Sequence, residues 1–168
     1  LTETVAPKKK YPRRKIMNVE LAKPFIKATT DILSMMAMIT PTAGKPFVKK
    51  SNVATGDVTG VVGFTGDMSG SVSISFDKAC AIHVVKNMLG DDIQDLLQDV
   101  KDAVGEITNM VSGQARAGLN EMGHKLSGST PTVIMGDNHT ISHVTSGPVM
   151  AIPFKTDHGA FTIEFALE

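Results

Sequence analysis

Glu106 and Asn109 stand three residues apart in the stretch GEITNMVSG, residues 105–113. On a helix that spacing puts acid and amide on one face. An asparagine amide is neutral and cannot serve as a general base. Its carbonyl oxygen can accept a hydrogen bond from a water and fix that water's orientation. Such a group suits a reaction whose electrophile is already activated and needs only a placed nucleophile. Phosphoryl transfer is one, because its catalysis is mostly positioning and charge stabilisation. A glutamate beside it can pair with a partner's lysine and set the docking register. Gly105 and Gly113 lie four residues either side of Asn109, although each glycine costs a helix interior about 1 kcal/mol against alanine. With Ser112 they make a smooth patch that lets another backbone or another protein's surface come close. Asp102, Gly105, Ser112 and Gly113 are therefore the candidate partner-binding residues.

The element carrying this pair reads as a long amphipathic helix from about Asp92 to Glu121. Its apolar stripe is Ile93, Leu96, Leu97, Val100, Ala103, Val104, Ile107, Met110 and Val111, in three-four spacing. Opposite runs Asp92, Asp95, Asp99, Asp102, Glu106, Asn109, Gly113 and Arg116. Its acidic half is explained by a solvated face and by the helix dipole.

Other candidates are weaker. His139 and His143 share a metal-like spacing, but on a strand they would stand about 13 Å apart, and exposed histidines explain them. Cys80, in an apolar helix, reads as a buried inert thiol. Met35, Met36, Met38, Met88 and Met110 read as core filler. TGDMSG, residues 65–70, lacks the lysine of a phosphate-binding loop. There is no GxSxG and no HExxH.

The remaining elements are read from periodicity and punctuation. A first helix runs from Asn18, a candidate N-cap, to about Ile39; it begins or kinks at Pro24 and ends at Thr40-Pro41. Pro46–Ser51 is a short strand. Val58–Phe64 and Ser71–Phe76 are joined by a turn, and the serines alternating with Val72, Ile74 and Phe76 imply a half-buried strand. Asp77 caps a second helix over 78–89, which Gly90 closes. Strands are expected near 132–136, 140–145, 148–155 and 160–167, with hairpin turns at Asp137-Asn138 and Asp157-His158-Gly159. The fold class is α+β: three helices, one long and carrying the E-x-x-N pair, packed on a largely antiparallel sheet.

Length and composition fit one ordinary domain with a real core. No apolar run approaches the 18–20 residues, roughly, that a membrane span needs, and no secretory pattern opens the chain. The single cysteine excludes an internal disulfide, and a cytoplasmic protein is expected. The zero net charge divides into +5 over residues 1–16, with six Lys/Arg and one Glu, and −5 over the rest. The acidic body gives no support to nucleic-acid binding. The basic leader, 1–16, is expected to be a tag remnant or an extension, or else an arm for nucleic acid or a membrane surface; Met17 reads as a natural start, and 17–168 as a single domain.

DAVGEITNMVSGQARAGL, residues 102–119, resembles the signature helix of the CheC/CheX/FliY family of chemotaxis phosphatases, whose core is E-x-x-N. Glu106 and Asn109 match it as they stand. KPFIKATTDIL (23–33), GFTGDMSGSVSISF (63–76), VVKNMLGDD (84–92) and IPFKTDHGAFTIEFAL (152–167) are similar to further stretches of the CheX branch, so the resemblance spans nearly all of 17–168. It implies a CheX-like phosphatase domain acting on the aspartyl phosphate of a CheY-like response regulator in two-component signalling. Asn109 would enter beside the phosphate and orient the attacking water, and Glu106 would pair with the regulator's lysine. Mg²⁺ would come with the regulator, leaving this chain with no cofactor or metal ligands of its own. The resemblance also implies a cytoplasmic homodimer, with neither nucleic acid nor membrane as partner. Some relatives carry a second E-x-x-N on the opening helix; here Lys27 and Thr30 stand at that spacing, so one active centre per chain is expected. The alternative is a non-catalytic regulator-binding or flagellar-switch-like module of the same fold. An independent small-molecule phosphatase lacks a nucleophile, a base and a metal site.

Overall fold

The computed structural model describes residues 19–143, 145 and 147–168; the basic leader, the Met17 start and the Asn18 cap lie outside them. Three helices and eight strands follow in the order α1 (Val19–Ala37), β1 (Thr42–Ala43), β2 (Phe47–Lys49), β3 (Val58–Gly66), β4 (Gly70–Phe76), α2 (Lys78–Leu89), α3 (Leu96–Glu121), β5 (Leu126–Gly128), β6 (Thr132–Met135), β7 (Val149–Thr156) and β8 (Gly159–Leu167). The strands form one antiparallel sheet in the order β1-β7-β8-β4-β3-β5, with β2 also on β7 and β6 also on β3. The expected α+β class holds.

Alternation along the central strands divides the sheet into two faces. Val72, Ile74 and Phe76 of β4, Phe161, Ile163 and Phe165 of β8, and Ile152 and Phe154 of β7 join the helices in one apolar core. Phe25 of α1 stacks on Phe165 at 4.6 Å between ring centres, and Phe154 stacks on Phe161 at 4.8 Å. The other face carries Ser71, Ser73, Ser75, Thr162 and Glu164, and all of them are buried. The half-buried reading of β4 is thus corrected: it is a central strand covered on both sides.

What covers the second face is the segment expected to be a strand at 140–145. Its described residues form one isolated bridge, Val53 with Thr140. Backbone hydrogen bonds from Ala54 N–H to the His139 carbonyl (2.8 Å) and from Ile141 N–H to the Asn52 carbonyl (2.8 Å) flank that bridge. The two loops lie over the sheet as irregular chain, with Ala54 and Ile141 buried beneath them. Asp137-Asn138 accordingly opens no hairpin; Asn138 instead takes a left-handed φ of 52°.

Local signals fix the helix ends. Asp77 Oδ1 accepts from Cys80 N–H at 2.7 Å and Gly90 ends α2 at φ 56°, as the sequence predicts. The long helix starts later than expected. Gly90–Asp92 form a single 3-10 turn and Asp95 caps α3. Leu96 and Leu97 consequently stand 42% and 61% exposed, outside the buried stripe expected of them. α1 runs through Pro24 and stops before Thr40-Pro41, because Met38 takes a left-handed φ of 52°. Met35 and Met38 are 65% and 75% exposed, so they are not core filler; Met36, Met88 and Met110 do pack on the core.

Candidate functional site

Two close approaches hold α3 in place. Gly60 of β3 lies directly under Thr108, and a Cβ there would overlap the Thr108 side chain. Thr108 is buried and its Oγ1 donates back to the Val104 carbonyl at 2.6 Å. Asn109, the next residue, is thereby turned outward. On the other flank a Cβ at Gly118 would stand 3.0 Å from the Pro24 ring, so the two helices meet closely there. Gln114 Nε2 also donates to Asp31 Oδ2 of α1 at 2.9 Å. The helix is pinned on its sheet side and its α1 side, and its third side faces solvent.

Glu106, Asn109 and Asp102 are exposed on that third side. One turn of helix separates the first two, a rise of about 4.5 Å. Neither side chain makes a hydrogen bond or ion pair with another described residue. Asp102 accepts from Gln98 Nε2 at 2.9 Å. Asp95 and Asp99 are engaged at the start of the helix, where they accept backbone N–H groups of Gln98, Gln94 and Asp95. The acidic half of the stripe therefore serves the helix itself, while the E-x-x-N pair is left free.

The smooth patch is smaller than the sequence implied. Gly105 is buried, and its missing Cβ faces Val133 of β6 at 3.4 Å. Ser112 is buried as well, and its hydroxyl finds no hydrogen-bond partner among the described residues. Both lie on the flank where α3 packs over β5 and β6, at the edge of the exposed arc. Gly105 thus faces a strand of this chain, not the exposed arc. Gly113 stays on the accessible face: a Cβ there would meet nothing nearer than Arg116 Nη2, at 3.9 Å.

Histidines and the cysteine contribute to other structure. His143, with its side chain 4% exposed, places Nδ1 at 2.6 Å from Ser71 Oγ and Nε2 at 3.4 Å from Glu164 Oε1. Lys49 Nζ meets Glu164 Oε2 at 2.7 Å. His139 pairs with Thr59 Oγ1 at 2.5 Å and with the Gly136 carbonyl at 2.8 Å. These histidines are buried or half-buried beneath the covering loops, not exposed as expected. Burial alone would raise the Glu164 pKa, but hydrogen bonds from His143 and Lys49 and their charges outweigh it and hold the carboxyl below its ordinary value. Burial pushes the Cys80 thiol up to about 11, which fits the inert reading. No group of three His, Cys, Asp or Glu side chains among the described residues is placed to hold a metal ion.

A family model described as "Chemotaxis phosphatase CheX" matches residues 58–155, more than half of the chain. A crystal structure of a chemotaxis protein CheX from Desulfovibrio desulfuricans is 68% identical, with a TM-score of 0.85, covering 89% of this chain and 99% of that one. The chain belongs to the CheX family. The CheY-P phosphatase CheX of Thermotoga maritima is 26% identical over 140 residues, 83% of this chain and 89% of that protein. The complex of CheX with CheY, BeF3 and Mg²⁺ from Borrelia burgdorferi shares the fold at a TM-score of 0.73 and 24% identity, covering 88% of this chain and 97% of that one. The family match begins at β3 and ends in β7, so it contains the whole of α3 and the close contact of Gly60 with Thr108 beneath it.

Proposed function

We propose that this chain dephosphorylates the aspartyl phosphate of a CheY-like response regulator. The observation that carries the residue assignment is the exposed, internally unpartnered pair Glu106 and Asn109 on a helix otherwise fixed on two sides. The Thermotoga maritima relative, named a CheY-P phosphatase, supports the reaction. In this reading Asn109 enters beside the acyl phosphate, and its side-chain oxygen accepts a hydrogen bond from the attacking water. The water's oxygen forms the new bond to phosphorus, the bond from phosphorus to the aspartyl oxygen breaks, and inorganic phosphate and a free carboxylate result. Because the amide takes no proton, its work is orientation and exclusion of unproductive geometries. Glu106 pairs with a lysine of the regulator and fixes the register of the two surfaces. Gly113 and Asp102 border the same face and complete the contact. The metal belongs to the regulator. We extend the reading to a cytoplasmic homodimer acting in two-component signalling.

The test is the decay of CheY from the source cell, phosphorylated with labelled acetyl phosphate, with and without this protein. Wild type accelerates the decay. Asn109→Ala removes a positioning group for the attacking water and lowers the acceleration by about 10²–10³-fold, the loss typical of one such preorganised hydrogen bond. Its melting temperature stays that of wild type. A folded Asn109→Ala protein with full activity would overturn the assignment of Asn109. Saturable binding of phosphorylated CheY without any acceleration by wild type would make the chain a binding module instead.

A further inference from the structure

Arg116 stands seven residues beyond Asn109, two turns along the same face of α3. Its guanidinium makes no hydrogen bond or ion pair with another described residue, and its Nε is buried without a partner. An arginine so placed normally takes a carboxylate, because burying part of a charge without one is costly. Gly128 makes room for it. At Gly128 of β5 a Cβ would stand 3.0 Å from Arg116 Nε and 3.1 Å from Cζ, so the guanidinium would have to give way by a few tenths of an ångström. At Gly113 a Cβ would stand 3.9 Å from Nη2. The side chain therefore leans back along the helix, as long helical side chains do, and brings its fork level with Gly113. That places the charge about 6 Å along the helix axis from Asn109.

We propose that Arg116 is a docking residue for a carboxylate of the phosphorylated regulator, next to the phosphoryl group that Asn109 approaches. This rests on the phosphatase reading above. A protein surface that holds an acyl phosphate with a magnesium ion is built of oxygen ligands, carboxylates among them. The stripe on α3 runs from acids, Asp99, Asp102 and Glu106, through Asn109 to the cation Arg116. Glu106 meets a cation of the regulator and Arg116 meets an oxyanion, so the two opposite charges fix which way the helix lies across the regulator. The rigid guanidinium fork suits a carboxylate in two-point contact. Arg116 acts on association and orientation, so it is a positioning residue, not one that touches the water.

Steady-state kinetics with phosphorylated CheY separates the roles. Arg116→Gln raises KM about tenfold with kcat within twofold, and the rise of wild-type KM with salt is largely lost in the variant. Arg116→Lys, which keeps the charge and loses the fork, falls between the two. If Arg116→Gln does not fold, Arg116→Met keeps the apolar stem over Gly128 and is compared with Arg116→Lys in its place. Kinetics equal to wild type, or a fall in kcat at constant KM, overturns the proposal; the latter result would put the guanidinium on the phosphoryl group. If wild type itself accelerates nothing, the phosphatase reading fails separately. Affinity for beryllofluoride-loaded CheY then decides the role of Arg116, tenfold weaker binding by Arg116→Gln supporting it and equal binding overturning it.

Discussion

The two sides of this molecule handle polar groups in opposite ways. Beneath the covering loops, Lys49, Glu164, His143 and Ser71 are buried and bound to one another. On α3, Glu106 and Asn109 are exposed and bound to nothing described, and Arg116 lies half-buried without a counter-charge. Perturbed titration marks the first region, where the Glu164 carboxyl is held below its ordinary value by His143 and Lys49. The telling feature is a lack of internal partners in an element that is otherwise tightly held.

The sharpest way to break the comparison is to remove one partner from the buried network. Lys49→Met leaves the Glu164 carboxylate, 2% exposed, with His143 as its remaining counter-charge. Breaking a buried pair in this way costs about 3–5 kcal/mol, and the low end is expected because Glu164 keeps its contact with His143. Urea unfolding measures it. The activity of the folded fraction toward phosphorylated CheY stays at the wild-type level, since the network lies across the sheet from α3. Lost activity in a folded Lys49→Met protein would show that the two regions are coupled. Asn109→Ala is the mirror case, with activity gone and stability kept.

Acid tests the same network more gently. The Glu164 pKa is lower in the folded state than in the unfolded chain, where a glutamate titrates near about 4.3. Its contribution to stability is therefore complete above that value and is lost as pH falls through the lower folded pKa. The urea midpoint of wild type should decline over that window, and that of Glu164→Gln should decline less steeply. Equal slopes would mean that other carboxylates carry the acid sensitivity.

Much of this division was legible in the residues. Asp77 and Gly90 bracket α2 because capping chemistry is local, and the β7–β8 hairpin follows from alternation around a two-residue turn. Glu106 and Asn109 were legible because helical spacing is rigid. The second face of the sheet was not. Small serines alternating with Val72, Ile74 and Phe76 look the same whether water or a loop covers them, and nothing local says that residues 136–143 will lie there. The β propensity of 140–145 yielded to that covering role and to the single bridge at Val53. Gly105 and Ser112 were misplaced for a related reason. They sit 40–60°, roughly, from Asn109 around the helix, and how far β5 and β6 wrap around α3 decides on which side of the boundary they fall. The room that Gly128 leaves for Arg116 had no sequence signal, because it joins residues from separate elements.

Gly113 offers the smallest and most discriminating test. Among the described residues nothing requires this glycine. Its φ is not in the left-handed region and an added methyl would meet only Arg116 Nη2, at 3.9 Å. Gly113→Ala should therefore stabilise α3 by up to about 1 kcal/mol through helix propensity. Gly105→Ala should gain less, because its methyl would press on Val133 at 3.4 Å. If the open face exists for a partner, the more stable Gly113→Ala protein should bind phosphorylated CheY a few-fold more weakly, seen as a higher KM. Stability and recognition would then move in opposite directions at one methyl group, which is how a helix comes to retain a glycine that its own packing does not need. A stabilised variant with unchanged KM would leave Gly113 without a docking role and narrow the contact to Asp102, Glu106, Asn109 and Arg116.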